Sequence, residues 1–213
     1  MSEVVETQAV ATASAATTNV TLATDLVAGD IVLVTYSYFF TGTSSAPTVA
    51  GATFNSIFTA KRLNNPRQSA YWATGLTGAG KVITVPSAQG ITGGAIVAVI
   101  RGLTTPVVAG TESSAYGATS LIASQSLPGA LTVSPNKVAL IVGMKEAGTS
   151  LVNLSGLAPA LGWSSIVYSP NNPNGDLFLA WNDDVVASGS LAGTAAFAST
   201  TGYIGVSAIV LGS

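Results

Sequence analysis

Asp30-Ile31-Val32-Leu33-Val34-Thr35-Tyr36-Ser37-Tyr38-Phe39 is the stretch that decides how this chain is read. It is rich in β-branched and aromatic residues, follows the turn-forming Ala28-Gly29, and has no helical stripe, so it predicts a β-strand. The same texture returns in Lys81-Val82-Ile83-Thr84-Val85, Ile96 to Ile100, Lys137 to Val142, Asp176 to Trp181 and Val206 to Leu211. Turn signals lie between them at Gly78-Ala79-Gly80, Ser134-Pro135-Asn136 and Asn171-Asn172-Pro173-Asn174-Gly175. No window carries an apolar stripe of helical period with caps at its ends. The chain is expected to be all-β.

The order of strands then repeats. Ile31-Val32-Leu33-Val34 matches Val138-Ala139-Leu140-Ile141, an offset of 138 − 31 = 107. Phe54 falls opposite Trp163 at 109, and Ala98-Val99-Ile100-Arg101-Gly102 opposite Ala208-Ile209-Val210-Leu211-Gly212 at 110. The leads agree loosely, Val4-Val5 … Ala16-Thr17 against Val107-Val108 … Ala118-Thr119. One register stays open: Tyr71 pairs with Phe178 at 107, or Trp72 with Trp181 at 109. With the joint at Leu103-Thr104-Thr105-Pro106, residues 1–103 and 104–213 form two tandem β-sandwich, jelly-roll-like domains related by internal duplication. Each is expected to hold about seven or eight short strands, since a lone sheet would leave its apolar face in water. The alternative is a single larger sandwich in which the two halves interleave.

Composition bounds the chemistry. Of 213 residues, 48% are hydrophobic and only 8% are charged, against roughly 25% charged in ordinary globular domains. That much apolar material builds a core and excludes a disordered chain. The exterior must instead be made of Ser, Thr, Asn, Gly and Ala, a surface weakly protected against association. The net charge is −2 and the densest basic group is Lys61-Arg62 with Arg67 nearby, too little for nucleic-acid binding. With no Cys and no His, disulfides, thiol nucleophiles, Cys/His zinc sites and the commonest general base are all excluded. The acidic start Met1-Ser2-Glu3-Val4-Val5-Glu6 has no apolar h-region, so no secretory signal is expected. Ile31 to Phe40 and Val138 to Met144 fall well short of the ~20 residues that cross a bilayer, so no membrane partner is expected and the protein is expected to be soluble.

The run Arg67-Gln68-Ser69-Ala70-Tyr71-Trp72-Ala73-Thr74-Gly75-Leu76-Thr77-Gly78-Ala79-Gly80-Lys81-Val82-Ile83-Thr84-Val85 resembles a β-sandwich module. That module recurs in phage virion structural proteins and in bacterial surface or secreted proteins. It shows an aromatic strand, a Gly-containing turn, a "TVTV" strand and a hydrophobic strand ending in an "SGL"-like step. Val99-Ile100-Arg101-Gly102-Leu103 takes that last place here, with Arg101 where the module often has an acidic residue. Ser134-Pro135-Asn136-Lys137-Val138-Ala139 is similar to a second strand start of the same module. The resemblance covers most of the chain and implies a fold; it brings no catalytic residues with it.

Candidate chemistry is sparse. A glycosidase needs two carboxylates across a cleft, but Asp30 and Asp176 each precede a strand, where capping a turn is the ordinary role. Asp183-Asp184, with Asn182 and the loop Asn171 to Asp176, offers oxygen ligands for calcium in a spacing that matches no EF-hand. A polar strand end is the ordinary reading. No Ser-x-x-Lys occurs, and Gly75-Leu76-Thr77-Gly78-Ala79-Gly80 lacks the Gly-Lys-Ser/Thr of a phosphate loop and reads as a hairpin turn. Trp72, Trp163 and Trp181 could stack on sugars, although Phe54 opposite Trp163 points to a repeated core slot. Trp163, Trp181, Asp183 and Asp184 are thus the candidate contact residues, with no catalytic residue, no metal site and no cofactor expected.

These readings lead to a virion structural protein: a capsid decoration (cement) protein or a tail or fibre component. Its expected partners are viral structural proteins and further copies of itself, as a homo-oligomer such as a trimer, assembled in the host cytoplasm. The competing reading is a carbohydrate-binding or adhesion module that uses aromatics at one sandwich end. An enzyme is not expected.

Overall fold

A computed structural model describes residues 3–12, 17–38, 45–58, 67–86, 93–103, 113–116, 122–127, 131–145, 151–158, 163, 167–168, 176–201 and 204–212. The Lys61-Arg62 pair, the joint at Thr104-Thr105-Pro106, the lead Val107-Val108 … Ala118-Thr119 and the loop Asn171 to Gly175 lie outside them. The fold is all-β. Among the described residues no helix occurs, and hence none long and apolar enough to cross a membrane.

The strands of the first half are β1 (Glu3–Thr12), β2 (Thr17–Thr21), β3 (Ile31–Tyr38), β4 (Thr48–Val49), β5 (Ala52–Thr53), β6 (Asn55–Phe58), β7 (Arg67–Ala73), β8 (Val82–Pro86) and β9 (Gly93–Arg101). Those of the second are β10 (Ser113–Tyr116), β11 (Ile122–Ser126), β12 (Thr132–Val133), β13 (Val138–Lys145), β14 (Leu151–Ala158), β15 (Val167–Tyr168), β16 (Asp176–Asn182), β17 (Gly189–Ser190), β18 (Ala192–Thr201) and β19 (Ile204–Leu211). The excess over seven or eight per half comes from two-residue strands such as β4, β5, β12 and β17, which are too short to show an alternation in sequence. Among the described residues all pairings are antiparallel, and no sheet mixes strands of the two halves.

The halves have matching sheets. The first forms a five-stranded sheet β1-β9-β3-β7-β6 facing a four-stranded sheet β2-β8-β4-β5. The second forms a five-stranded sheet in the corresponding order, β10-β19-β13-β16-β15, with β11-β18-β14 and β12-β17 beyond it. Local geometry matches as well. The Asp30 amide donates to the Val27 carbonyl at 3.1 Å and the Lys137 amide to that of Ser134 at 3.3 Å. Each closes a four-residue turn whose third residue, Gly29 (φ 96°) or Asn136 (φ 68°), lies in the left-handed region that Gly and Asn tolerate best. The bridge Leu26–Gly78 recurs as the pair Val133–Gly189.

Three apolar layers hold the molecule together. Val20, Val32, Val34, Tyr36, Tyr71, Ile83, Val85 and Val97 fill the first, between the two sheets of the first half. Ala139, Ile141, Phe178, Val206, Ala208 and Val210 line the third with Val133 and Leu191. The middle layer joins the halves: Ile31, Leu33, Phe58, Ile96 and Ile100 of one five-stranded sheet meet Val138, Leu140, Val142, Leu177, Leu179, Ile209 and Leu211 of the other. The central strands β3 and β9 of one sheet and β13 and β19 of the other are therefore buried on both faces. This explains why Ile31–Val34 and Val138–Val142 are unbroken apolar runs rather than alternating ones: successive side chains point to opposite faces, and here both faces pack against an apolar layer.

With Ile31 set against Val138, the ladders give the offsets between the other strands of the two halves. Leu33 pairs with Trp72 and Leu140 with Trp181, so Trp72 and Trp181, at 109, occupy corresponding places. Ile31 pairs with Ile100 and Val138 with Leu211, so Leu211 corresponds to Ile100 at 111 rather than at the 110 read from Ala98–Gly102. An even offset would exchange the faces of that strand. The error was invisible in sequence because apolar residues stand on both faces. The segment Gly75–Gly80 also needs correction: β7 and β8 belong to different sheets, so it arches from one sheet to the facing one and is not a hairpin turn. A glycine-rich turn signal reports a reversal of direction, not which strands pair across it.

Candidate functional site

Two features of the surface stand out: a set of carboxylates pinned at the strand ends, and a sheet face without ions.

Asp30, 1% exposed, precedes β3 and accepts from the Val27 amide through Oδ2 at 3.0 Å, the turn-capping role expected of it. It is also half of an ion pair that sequence reading missed. Arg101, at the end of β9, donates Nε to Asp30 Oδ1 at 2.9 Å and Nη2 to Oδ2 at 2.7 Å, in a bidentate fork. Its Nη2 also donates to the Asp25 carbonyl at 3.0 Å. The Asp30 hydrogen bonds hold the Arg101 guanidinium above its already high ordinary value, helped by the charges of Asp30, Glu3 and Asp25 against a smaller opposing effect of burial. The only sequence signal was the placement of Asp30 and Arg101 at the adjoining ends of two strands that pair.

Glu6 was missed too. It sits at the β-bulge that breaks the β1 register between Val4 and Glu6. Its Oε1 accepts from the Ala23 amide at 2.9 Å and from Gln8 Nε2 at 2.5 Å, and its Oε2 from the Thr24 amide at 2.7 Å. Partial burial pushes its carboxyl up, but the hydrogen bonds from Ala23, Thr24 and Gln8 outweigh it, and the net shift is downward.

The four candidate contact residues do not converge. Asp183 is half-buried and takes the Val4 amide through Oδ2 at 2.8 Å, tying the end of β16 to the start of β1 in the other half. Asp184 is exposed, and its amide donates to Asn182 Oδ1 at 3.1 Å. Trp163 bridges to Asn182 and packs, half-buried, on the third apolar layer, while Trp181 packs on the middle one. Phe54, the expected counterpart of Trp163, is buried in the first layer. Trp163 and Trp181 thus serve different layers, and neither lies with the other on one open platform. Among the described residues no group of three or more Asp or Glu could hold a metal ion.

The outward face of β2-β8-β4-β5 is of another kind. Strand alternation turns Val20, Ile83 and Val85 inward and leaves Thr17, Asn19, Thr21, Val82, Thr84, Thr48 and Thr53 outward. Asn19, Thr84, Thr48 and Thr53 stand in one rank across all four strands, with Thr84 Oγ1 donating to Asn19 Oδ1 at 2.9 Å. No charged side chain belongs to these strands. Threonine presents a methyl and a hydroxyl together, so such a face gives up no ionic hydration on being covered, provided the covering surface meets its hydroxyls with hydrogen bonds.

No protein family matches the chain, and neither a curated protein nor a solved structure matches it.

Proposed function

We propose that this chain is a non-enzymatic virion structural protein, a capsid decoration or tail component that works by protein–protein assembly and arose by tandem duplication of one sandwich module. The observation that carries this reading is the uncharged outward face of β2-β8-β4-β5, with its threonine rank. A chain with 8% charged residues leaves such faces poorly guarded against association. The apolar residues are otherwise withdrawn: the large hydrophobics that remain exposed among the described residues are Val27, Val82 and Val186. Recognition would therefore rest on shape and hydroxyl hydrogen bonds rather than on a greasy patch. The duplication is supported by the shared strand order and the repeated turns at Val27–Asp30 and Ser134–Lys137. A stable contact must bury more than about 1,000 Å² in all, so the rank is the centre of a larger footprint, in a cyclic homo-oligomer or on a shell lattice.

The test is a pair of surface variants, Thr48→Lys and Thr84→Lys, which on an exposed face cost little stability. The parent protein should co-purify with virus particles, as read by mass spectrometry, and self-associate in light scattering. The double variant should lose both while keeping its circular dichroism and melting temperature. Parent protein that stays monomeric and never travels with particles overturns the reading.

A further inference from the structure

Two polar atoms in the middle layer have no hydrogen-bond partner among the described residues: Gln68 Oε1 and Ser207 Oγ, on residues that are both fully buried. Strand alternation places both toward the same layer. Ala70 and Trp72 of β7 face it, so Gln68 does; Ile209 and Leu211 of β19 face it, so Ser207 does. Their heights agree. Gln68 Nε2 donates to Thr35 Oγ1 at 3.1 Å, which draws the amide to the level of Thr35. Thr35 pairs with Ile96 as Val142 pairs with Ser207, so Ser207 lies at the corresponding level of the facing sheet.

The two halves differ here in a matched way. Ser207 stands in the place of Ile96, and Gln68 in the place of Leu177. In the middle layer β16 packs on β9, which sets the strand of Leu177 against that of Ile96. The corresponding strands on the other side are β7 and β19, which turn Gln68 and Ser207 to the same layer. One pair of strands thus carries two apolar residues and the other two polar ones.

We propose that Gln68 and Ser207 form a single hydrated site inside the middle layer, where one ordered water donates to Gln68 Oε1 and exchanges a hydrogen bond with Ser207 Oγ. A buried water needs two to four polar partners, and Gln68, Ser207 and the nearby Thr35 hydroxyl provide them. The site also distinguishes unlike from like pairing: two first halves packed through this face would set Gln68 against Ile96 and strand its amide oxygen.

Thermal melting of Gln68→Leu, Ser207→Ala and the double variant, all in the full chain, tests it. With a shared water, each single variant removes a partner and lowers Tm by about 3–8 °C. The double variant, which removes the need for the water, should recover most of that loss and give a clear non-additive coupling. If the two atoms are separate dry orphans, Ser207→Ala raises or leaves Tm, Gln68→Leu costs only its bond to Thr35, and the effects add, which overturns the proposal. A high-resolution crystal structure of the parent gives an independent reading. Density for a water within hydrogen-bond distance of both atoms supports the site, and a dry gap between them refutes it.

Discussion

Cutting the chain after Leu103 should leave a first half that cannot persist as a folded monomer. The intact sheet β1-β9-β3-β7-β6 would present Ile31, Leu33, Phe58, Ile96, Ile100 and Leu103 to water, six large side chains that are at most 8% exposed in the whole protein. At about 1.5–3 kcal/mol for each such side chain, the exposed face forfeits about 9–18 kcal/mol, an upper estimate because an unfolded chain hides part of that area. Whole domains are stable by only about 5–15 kcal/mol. The first apolar layer and its two sheets can therefore form and still not hold the fragment in a rigid monomeric state. Light scattering should find residues 1–103 associating with concentration or binding a hydrophobic dye, and the full chain should melt in one cooperative transition. A fragment that is monodisperse, dye-silent and sharply melting at a concentration-independent temperature would refute the reasoning, because the middle layer would then be a removable contact. Self-association through the bared face should itself be weak, since it would place Gln68 against Ile96.

Asp30→Ala should cost about 2 kcal/mol in denaturant unfolding, because the Val27 amide and the Arg101 fork lose their acceptor; Arg101→Leu should cost more, since it leaves a buried carboxylate without its counter-ion. The downward-shifted Glu6 contributes stability that is fully present above its ordinary value of 4.5 and is lost as pH falls through its lower folded value. Glu6→Gln should therefore cost about 1 kcal/mol at pH 7 and flatten the acid side of the stability profile, as followed by melting from pH 7 to 3; an unchanged acid slope would count against the assignment. Gly29→Ala should cost about 1–2 kcal/mol by chemical denaturation: nothing lies within 4 Å of the added Cβ, so a measured loss reports only its φ of 96°.

The strands were legible because β-branched and aromatic runs need no tertiary context to be recognised. Ile31–Tyr38, Val82–Pro86 and Val138–Lys145 lie where the pattern puts them. What lay beyond reading was the partner of each face. The runs Ile31–Val34 and Val138–Val142 carried the sign of burial on both sides, yet a continuous apolar strand is equally compatible with one thick sandwich or with two sandwiches back to back. The same property hid the parity of the match between Ile100 and Leu211. The polar details were less legible still. Asp30 announced a turn, but its bond to Arg101 depends on two strands 71 positions apart ending side by side. Glu6 and Asp183 accept from backbone amides, and such a contact leaves no trace in the identity of the donor.

The placement of the ions joins these details to the proposed role. In most domains charge is spread over the faces as a hydration layer. Here the described ions at the strand ends are spent on holding the architecture: Glu6 secures the loop at Ala23 and Thr24, Asp30 and Arg101 close one end of β3 and β9, and Asp183 binds the first half to the second through Val4. A carboxylate that collects backbone amides at a bulge also blunts an edge strand, where unmet N–H groups would otherwise recruit any passing chain. The β1 edge is thus guarded while the face of β2-β8-β4-β5 is left bare of charge. Association through an edge offers a new edge to the next chain, whereas an isologous contact between faces closes on itself. A chain that guards the first and leaves the second open can gather in a defined assembly without growing into fibres, and adding charge to Thr48 and Thr84 should abolish assembly while leaving the pinned ends, and the melting temperature they support, untouched.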